Sequence, residues 1–533
     1  MSRKIITVTI AIFGICLLLL ILYVNPWVEN KIKKQLGVLQ EGPMEISYGT
    51  LDVNLFSGRA SITDLSLSQK RGKNHYSFSF KKIDIEGLGI QNYLFNKLIS
   101  FNLLRINQPH IEYIRLQGQD SVKAVEEEST GAFNVPGIEI KSLQMDEGTF
   151  AIKNQVEHNR NKLATGQFNI SIKKFTTDPD PAGLQQYHYF DASQLNIKLS
   201  NIDYKTTDSL YKIHVEKIQY KSVEKSIIID SFRVKTRFKK YELAQVVNHE
   251  IDWLDIYNPS FKFTGVDAEK IITTRVYQAD CIIIEGPDIL LFRDKRVPYP
   301  LKPDTKLLHQ VIADADINFV IDTIQLKKAT LEYQEFVKKG AEPGKLKFED
   351  LSASFYNLTN VDSLFEKVNY TAWMDAECKV MGQGQLKASF SFPLVAGRPY
   401  TVKGNLKEMA LTAFNPMIKH VGFIEIEDGR LLDLHFNFSY NLQQSNGEMQ
   451  FEYKDFKIST ISKGSKDTNG LGQNLKSFVA NTFIVNTHNL KKDKKFRVGK
   501  IYFERNTKRS IFNYWWKSLH TGFRSSTGIK EEK

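Results

Sequence analysis

From residue 46 almost to the C-terminus, the apolar residues of this chain fall in short runs on every second position. The stretch Ile46–Leu67, ISYGTLDVNLFSGRASITDLSL, sets the pattern. Its apolar places are Ile46 and Tyr48, then Leu51, Val53 and Leu55, then Ala60 and Ile62, then Leu65 and Leu67. Period two gives a strand one greasy face and one wet face. Gly49-Thr50, Ser57-Gly58 and Thr63-Asp64 read as turns that cut the stretch into short strands. The same alternation returns at Phe78/Phe80, Ile83/Ile85, Ile111/Tyr113, Phe168/Ile170/Ile172, Leu195/Ile197/Leu199 and Ile213/Val215. With 35 Phe and 22 Tyr, the composition favours strands over helices. We therefore expect an all-β chain, with a long curled sheet of antiparallel type and a few short helices.

A single apolar run precedes the sheet. Ile5–Val24 is twenty residues without a charge. As a helix it would reach about 30 Å, the thickness of a bilayer core. Arg3 and Lys4 precede it, and Asn25-Pro26-Trp27 ends it. No small-x-small cleavage site follows, so an uncleaved anchor is favoured over a signal peptide. Lys31, Lys33 and Lys34 offset Arg3 and Lys4, and charge leaves the orientation open.

The expected organisation is then an anchor over 1–26, a first β segment over 27–117 and an acidic loop over 118–135. A central β segment over 136–385 and a C-terminal β segment over 386–505 follow, and a basic aromatic tail over 506–533 closes the chain. Short helices are expected at Val28–Leu36, Tyr241–Trp253, Glu408–Lys419 and Gly470–Thr482. Ile138–Asp178 and Ile321–Val361 both read strand, turn, strand, loop, strand, an internal repeat or a chance likeness of hairpins. Leu432, Leu434, Phe436, Phe438 and Tyr440 share one strand, answered by Met449, Phe451 and Tyr453 across a turn at Ser445-Asn446-Gly447.

Catalytic patterns are missing from the sequence. There is no G-x-S-x-G, H-E-x-x-H, Walker loop or C-x-x-C. Cys16, Cys281 and Cys378 form no framework. Asp314 and Asp316 would share a strand face, and His420 and His435 stand apart from other ligand types. We expect no enzyme, cofactor or metal site.

Charge gathers at the end. Residues 491–533 hold 13 Lys and Arg against 4 Asp and Glu, within a formal net charge of +12 for the chain. Phe512, Trp515, Trp516, Leu519 and Phe523 recur at helical spacing, ringed by Lys508, Arg509, Lys517 and Arg524. Two readings stay open: a membrane-surface helix, or a helix that plugs the end of the sheet. No nucleic-acid-reading motif accompanies the basic residues.

Three features resemble the AsmA-like family of bacterial envelope proteins, which belongs with the repeating-β-groove lipid-transfer proteins. One is the apolar anchor followed by Leu55-Phe56-Ser57-Gly58 and the strand Ile62–Leu67. The second is the pair Asn107–Tyr113 and Tyr257–Phe263, each a strand entered through a proline. The third is Phe414-Asn415-Pro416 with Gly429-Arg430-Leu431 and a long hairpin. The resemblance implies a trough with an apolar interior that moves phospholipid between envelope membranes and supports the outer membrane. The anchor would lie in the inner membrane, the N-terminus in the cytoplasm and the body in the periplasm, with another envelope protein met at the C-terminal end. The groove would be lined by Val53, Leu55, Ile62, Leu65, Leu67, Ile111, Tyr113, Ile170, Ile172, Leu432, Leu434, Phe436, Phe438 and Phe451. The alternatives are a closed sandwich core, or a scaffold acting through protein contacts.

Overall fold

The computed structural model describes residues 44–71, 74–89, 98–117, 137–156, 159–177, 191–300, 304–461 and 485–528, with single positions at 29, 30, 34 and 92. The run Ile5–Val24, most of Val28–Leu36, the loop 118–135 and Gly470–Thr482 lie outside the described residues. Among the described residues no helix is long and apolar enough to cross a membrane. The described chain is mixed, mainly antiparallel β-structure with few short helices, in two compact units. The first is Met1–Asp230 with Asp267–Thr273, and the second is Ser231–Val266 with Thr274–Lys533.

In the first unit, β1 (Met44–Ser47) and β2 (Leu51–Asn54) pair with β3 (Arg59–Arg71), which pairs with β4 (Asn74–Glu86). Two shorter strands, β5 (Ile99–Asn107) and β6 (His110–Gln117), run end to end. Both lie antiparallel to β4 and parallel to β7 (Ile138–Val156). Antiparallel β8 (Asn159–Thr176), β9 (Asp191–Lys205) and β10 (Tyr211–Lys221) follow.

The chain continues through β11 (Ser226–Thr236), α1 (Leu243–Val247), β12 (Asp252–Tyr257), β13 (Ser260–Thr264), α2 (Ala268–Thr274), β14 (Val276–Glu285) and β15 (Asp288–Asp294). After α3 (Leu308–Ala313) comes β16 (Asn318–Phe336), parallel to both β14 and β15. From β16 onward the second unit is an antiparallel meander. It comprises β17 (Gly344–Thr359), β18 (Thr371–Val380), β19 (Gly384–Pro393), β20 (Tyr400–Ala410), β21 (Ile424–Tyr440), β22 (Gln444–Thr460) and β23 (Val498–Glu504). Helix α4 (Asn415–Val421) precedes β21, and α5 (Ile511–Thr527) closes the chain.

Each unit contains the same device. Gln108 takes a left-handed φ of 47° and Pro109 follows, which splits one strand into β5 and β6. Proline has no N–H, so the ladder breaks there. Gln108 N still donates to Asp146 O at 2.9 Å, and Thr149 N donates to Pro109 O at 2.8 Å. Gly286-Pro287, between β14 and β15, repeats this against β16. Gly286 N donates to Lys327 O and Thr330 N to Pro287 O, both at 2.9 Å. The likeness between Ile138–Asp178 and Ile321–Val361 thus has a structural counterpart, two 19-residue strands (β7 and β16), each parallel to a proline-broken pair. Asn258-Pro259, left-handed at 63°, separates β12 from β13 in a third instance.

The alternation also carries a signal that reading it as turns overlooked. In several strands the two-residue step is interrupted by a three-residue step, as at Ile62 to Leu65. Unaided, such a step would throw the later side chains to the other face. At several of them a left-handed polar residue stands just before the resumed apolar run, and at Asn201 and Asp455 a register shift marks a bulge. Asp64, Lys174, Asn201, Ser231 and Asp455 hold these places before Leu65, Phe175, Ile202, Phe232 and Phe456. Thr63-Asp64 is accordingly no turn: β3 runs through it unbroken for 13 residues.

Other expectations shift for local reasons. The hairpin after β21 turns at residues 441–443, where Asn441 Oδ1 accepts from Gln443 N and Gln444 N. Asn446-Gly447 lies inside β22. A Cβ at Gly447 would come 2.4 Å from Phe438 Cβ, so glycine there serves a close strand approach and not a turn. The helix expected over Tyr241–Trp253 is only α1, and Trp253 belongs to β12. The helix expected from Glu408 starts later, because β20 runs to Ala410. Asp314 caps α3 and pairs with Lys306, and Asp316 lies in the loop after it, so the two share no strand face.

Candidate functional site

The ladder registers of the first unit align its apolar side chains in rows. Leu51, Ile62, Ile83, Ile106, Met145, Ile170, Ile197 and Tyr220 stand opposite one another in turn from β2 to β10. Beside them runs Val53, Ala60, Ile85, Leu104, Leu143, Ile172 and Leu195. A third row is Ile46, Leu67, Phe78, Ile111 and Phe150. At an interstrand spacing of about 4.8 Å, the first row extends about 34 Å across the strands. Tyr113 stacks beside Tyr76 with ring centroids 5.2 Å apart. Two glycines keep the face smooth: the Phe168 ring lies over Gly148 and the Phe150 ring over Gly166.

Alternate positions put a polar row on the opposite face, which also holds the buried Ile114 beside Tyr113. The polar row is Ser61, Asp84, Arg105, Gln144, Ser171, Asn196 and Lys221. An open depression of about 710 Å³ is lined among others by Asp64, Lys82, Arg105, Gln108 and Glu147.

A sheet with one apolar face must cover it or leave it to a ligand. In the first unit the strands that pack on one another are ladder neighbours. Among the described residues no second sheet lies across this face, and of the helices only the start of α2 reaches its end, where Ala268 N donates to Tyr220 OH at 3.1 Å. Most of its side chains are half-buried, and Ile152 is exposed.

The second unit treats the same kind of face differently. Ile324, Phe355, Met374, Phe390, Val402, Phe438, Gly447 and Ile501 form its apolar row. Helix α5 packs on β22 and β23 over part of that face, through a stripe of Tyr514, Ser518, Gly522 and Ser526. Close contact explains the small residues: a Cβ at Gly499 would come 2.2 Å from Gly522 O, and Ser518 Oγ lies 2.8 Å from Ser445 Oγ. Trp515 meets Phe390 at 4.8 Å, and Phe523 meets Phe451 at 4.9 Å. The result is a closed core in which Phe436 is 7% exposed, Phe451 2% and Tyr453 0%.

The sequence-derived candidates therefore separate into two groups. Val53, Ile62, Leu65, Leu67, Ile111, Tyr113, Ile170 and Ile172 share the uncovered face of the first unit. Leu55 lies in the turn after β2 and joins no row. Leu434, Phe436, Phe438 and Phe451 belong to the closed core of the second unit. Leu432 is displaced by a register shift between Leu431 and Asp433, and Leu431 takes the buried place. Of the tail residues, Trp515, Leu519 and Phe523 pack inward, whereas Phe512 and Trp516 are 72% and 57% exposed. Lys508 pairs with Asp304 at 2.9 Å. Arg509 pairs with Glu250 at 3.3 Å and covers the Tyr299 ring. Lys517 is exposed and Arg524 is half-buried.

Titratable groups gather in two places in the second unit. At one, Arg293 donates twice to Asp252 at 2.7 and 2.6 Å, Tyr333 OH donates to Glu335 at 2.7 Å, and Lys295 pairs with Glu335. Burial pushes the Tyr333 hydroxyl pKa up. These carboxylates already hold a cation, the arrangement of a structural network and not of a free base. At the other, burial alone would raise the Asp433 carboxyl, but Lys491, Asn405, His435 and Lys407 outweigh it and hold it at about 2. The Cys378 thiol is pushed up by burial to about 11 and is free, as is Cys281. Among the described residues no cluster of His, Cys, Asp or Glu has the geometry to hold a metal ion. Comparison with protein-family models and with curated proteins finds no match.

Proposed function

We propose that the first unit holds acyl lipid along its apolar face, as part of a membrane-anchored, AsmA-like protein that moves phospholipid between membranes of a bacterial envelope. The observation that carries this reading is the apolar row that runs uninterrupted from β2 to β10, flanked by two shorter rows, with no second sheet across it among the described residues. Binding needs no catalytic residue. Each acyl CH₂ moved from water to such a face contributes about 0.8 kcal/mol. Alternation places polar residues such as Ser61, Asp84, Arg105 and Gln144 on the far side, so one surface stays wetted while the other takes the chain. The Ile5–Val24 run would hold this face beside a bilayer.

The test is lipid extraction and mass spectrometry of full-length protein purified from membranes, compared with Met145→Asp/Ile170→Asp. Phospholipid that co-purifies with the native chain and falls at least tenfold in the variant supports the reading. Lipid-free native protein, or equal lipid in both, overturns it. In the second case crosslinking to one defined protein would favour the scaffold role.

A further inference from the structure

The inward packing of α5 leaves the large apolar side chains of Phe512 and Trp516 exposed on its other side. Tyr514, Ser518, Gly522 and Ser526 repeat every fourth residue against the sheet. Phe512, Trp516, His520 and Arg524 repeat at the same interval, two residues out of phase and hence about 200° around the helix. Phe512 and Trp516 are among the most exposed large apolar residues described. Phe512 touches the edge of Trp515, and Trp516 stacks loosely on His520 at 6.1 Å. Neither ring enters the core. Lys517 flanks this stripe, and Ile511–Thr527 contains no Asp or Glu.

We infer that this face of α5 rests on an anionic phospholipid bilayer, with Phe512 and Trp516 in the interfacial layer and the exposed Lys517 against the headgroup phosphates. Exposed Trp and Phe beside Lys and Arg, on a helix without carboxylates, match the chemistry of a bilayer interface. The surplus of Lys and Arg over residues 491–533 adds long-range attraction of the same sign. A second copy of the chain is the poorer occupant, since a two-fold contact would bring together two patches that both carry positive charge and no carboxylate. His520 fits a cation-rich patch: burial, then Lys517 and Arg524, lower its pKa. The inference does not rest on the lipid-holding face of the first unit, because surface binding by α5 and lipid loading there are separate events.

Full-length protein in phosphatidylcholine nanodiscs is mixed with acceptor vesicles and floated on a gradient. Vesicles containing phosphatidylglycerol should bind, and pure phosphatidylcholine vesicles should bind far less. Phe512→Ser/Trp516→Ser should lower acceptor binding on the order of a hundredfold, from the apolar area lost. Lys517→Gln should lower it about fivefold, with the remaining binding less sensitive to salt. Val498→Ser, which removes another exposed apolar residue near α5, should change nothing. Amide exchange across α5 in the double variant should match the native protein, which separates lost binding from lost folding. Native-level flotation of the double variant, or no preference for phosphatidylglycerol, overturns the inference. So does a change in oligomeric mass, by light scattering, that accounts for the lost flotation. Co-purifying lipid in the double variant should stay at the native level whichever way flotation falls.

Discussion

The two units start from strands of the same period and dispose of their apolar faces in opposite ways. In the second unit, α3 and the C-terminal helix contribute side chains to one core of large aromatic residues, which holds Phe438, Phe451 and Tyr453. In the first, three apolar rows cross the strands, and the described residues provide no second sheet over them and only the start of α2 at Tyr220. Period two reports that a face is greasy, and what covers it is a separate matter. Phe436 illustrates the point. By alternation it is as good a lipid-facing residue as Ile170. In the structure its ring lies over Gly404, where a Cβ would come within 2.2 Å, and it is sealed in a core. Charge at Phe436 would be expected to unfold the second unit, so it is a poor probe of lipid binding.

That contrast can be broken in order of expected effect. Phe451→Ala should destabilise the second unit by about 3–5 kcal/mol, the usual cost of emptying an aromatic site that cannot collapse. Urea unfolding followed by amide exchange on β21 and β22 measures it. A loss below about 1 kcal/mol would mean that the core is looser than its burial implies. Gly522→Leu should follow, at about 1–3 kcal/mol, because a Cβ there meets Ile501 Cγ1 at 2.7 Å and lifts α5 from the sheet. Faster exchange confined to α5 and β23 is the expected readout.

Acid should act on the second unit through Asp433. Its carboxyl is held at about 2, below the usual value near 3.8. A depressed carboxylate contributes stability that is complete above its unfolded pKa and is lost as pH falls through the folded one. The loss should therefore develop between about pH 4 and pH 2 and amount to about 1–2 kcal/mol after allowance for solvent screening. Asp433→Asn should flatten that part of the curve. The smallest effect on stability belongs to the first unit. Ile170→Ser on the half-buried face should cost about 1 kcal/mol or less. Under the proposed function it should nonetheless lower co-purifying lipid several-fold. A destabilisation as large as that of Phe451→Ala would mean that the first unit's face is a closed core as well.

Much of the architecture was readable from residue order. Alternation is a local property of side chains on a pleated backbone, so strands, their greasy face and the proline-broken pairs appear without knowledge of the fold. The three-residue steps were readable too, at Asp64, Lys174, Asn201, Ser231 and Asp455, once a left-handed residue within a continuous strand and not a turn is taken as their meaning. Leu432 shows the limit. Its place depends on the register shift against β22, and register is set by the partner strand. The turn at Asn446-Gly447 failed for the same kind of reason, since Gly447 answers to Phe438 across the ladder. Two features rested on tertiary structure alone. One is the choice of the Tyr514–Ser526 stripe over the Phe512–Trp516 stripe as the buried side of α5, because close backbone approach at Gly499 rewards small residues over large ones. The other is the difference between a covered and an uncovered face. Coverage depends on which distant segment arrives to exclude water, and hydrophobic burial is non-directional and carries no record of its partner in the strand itself.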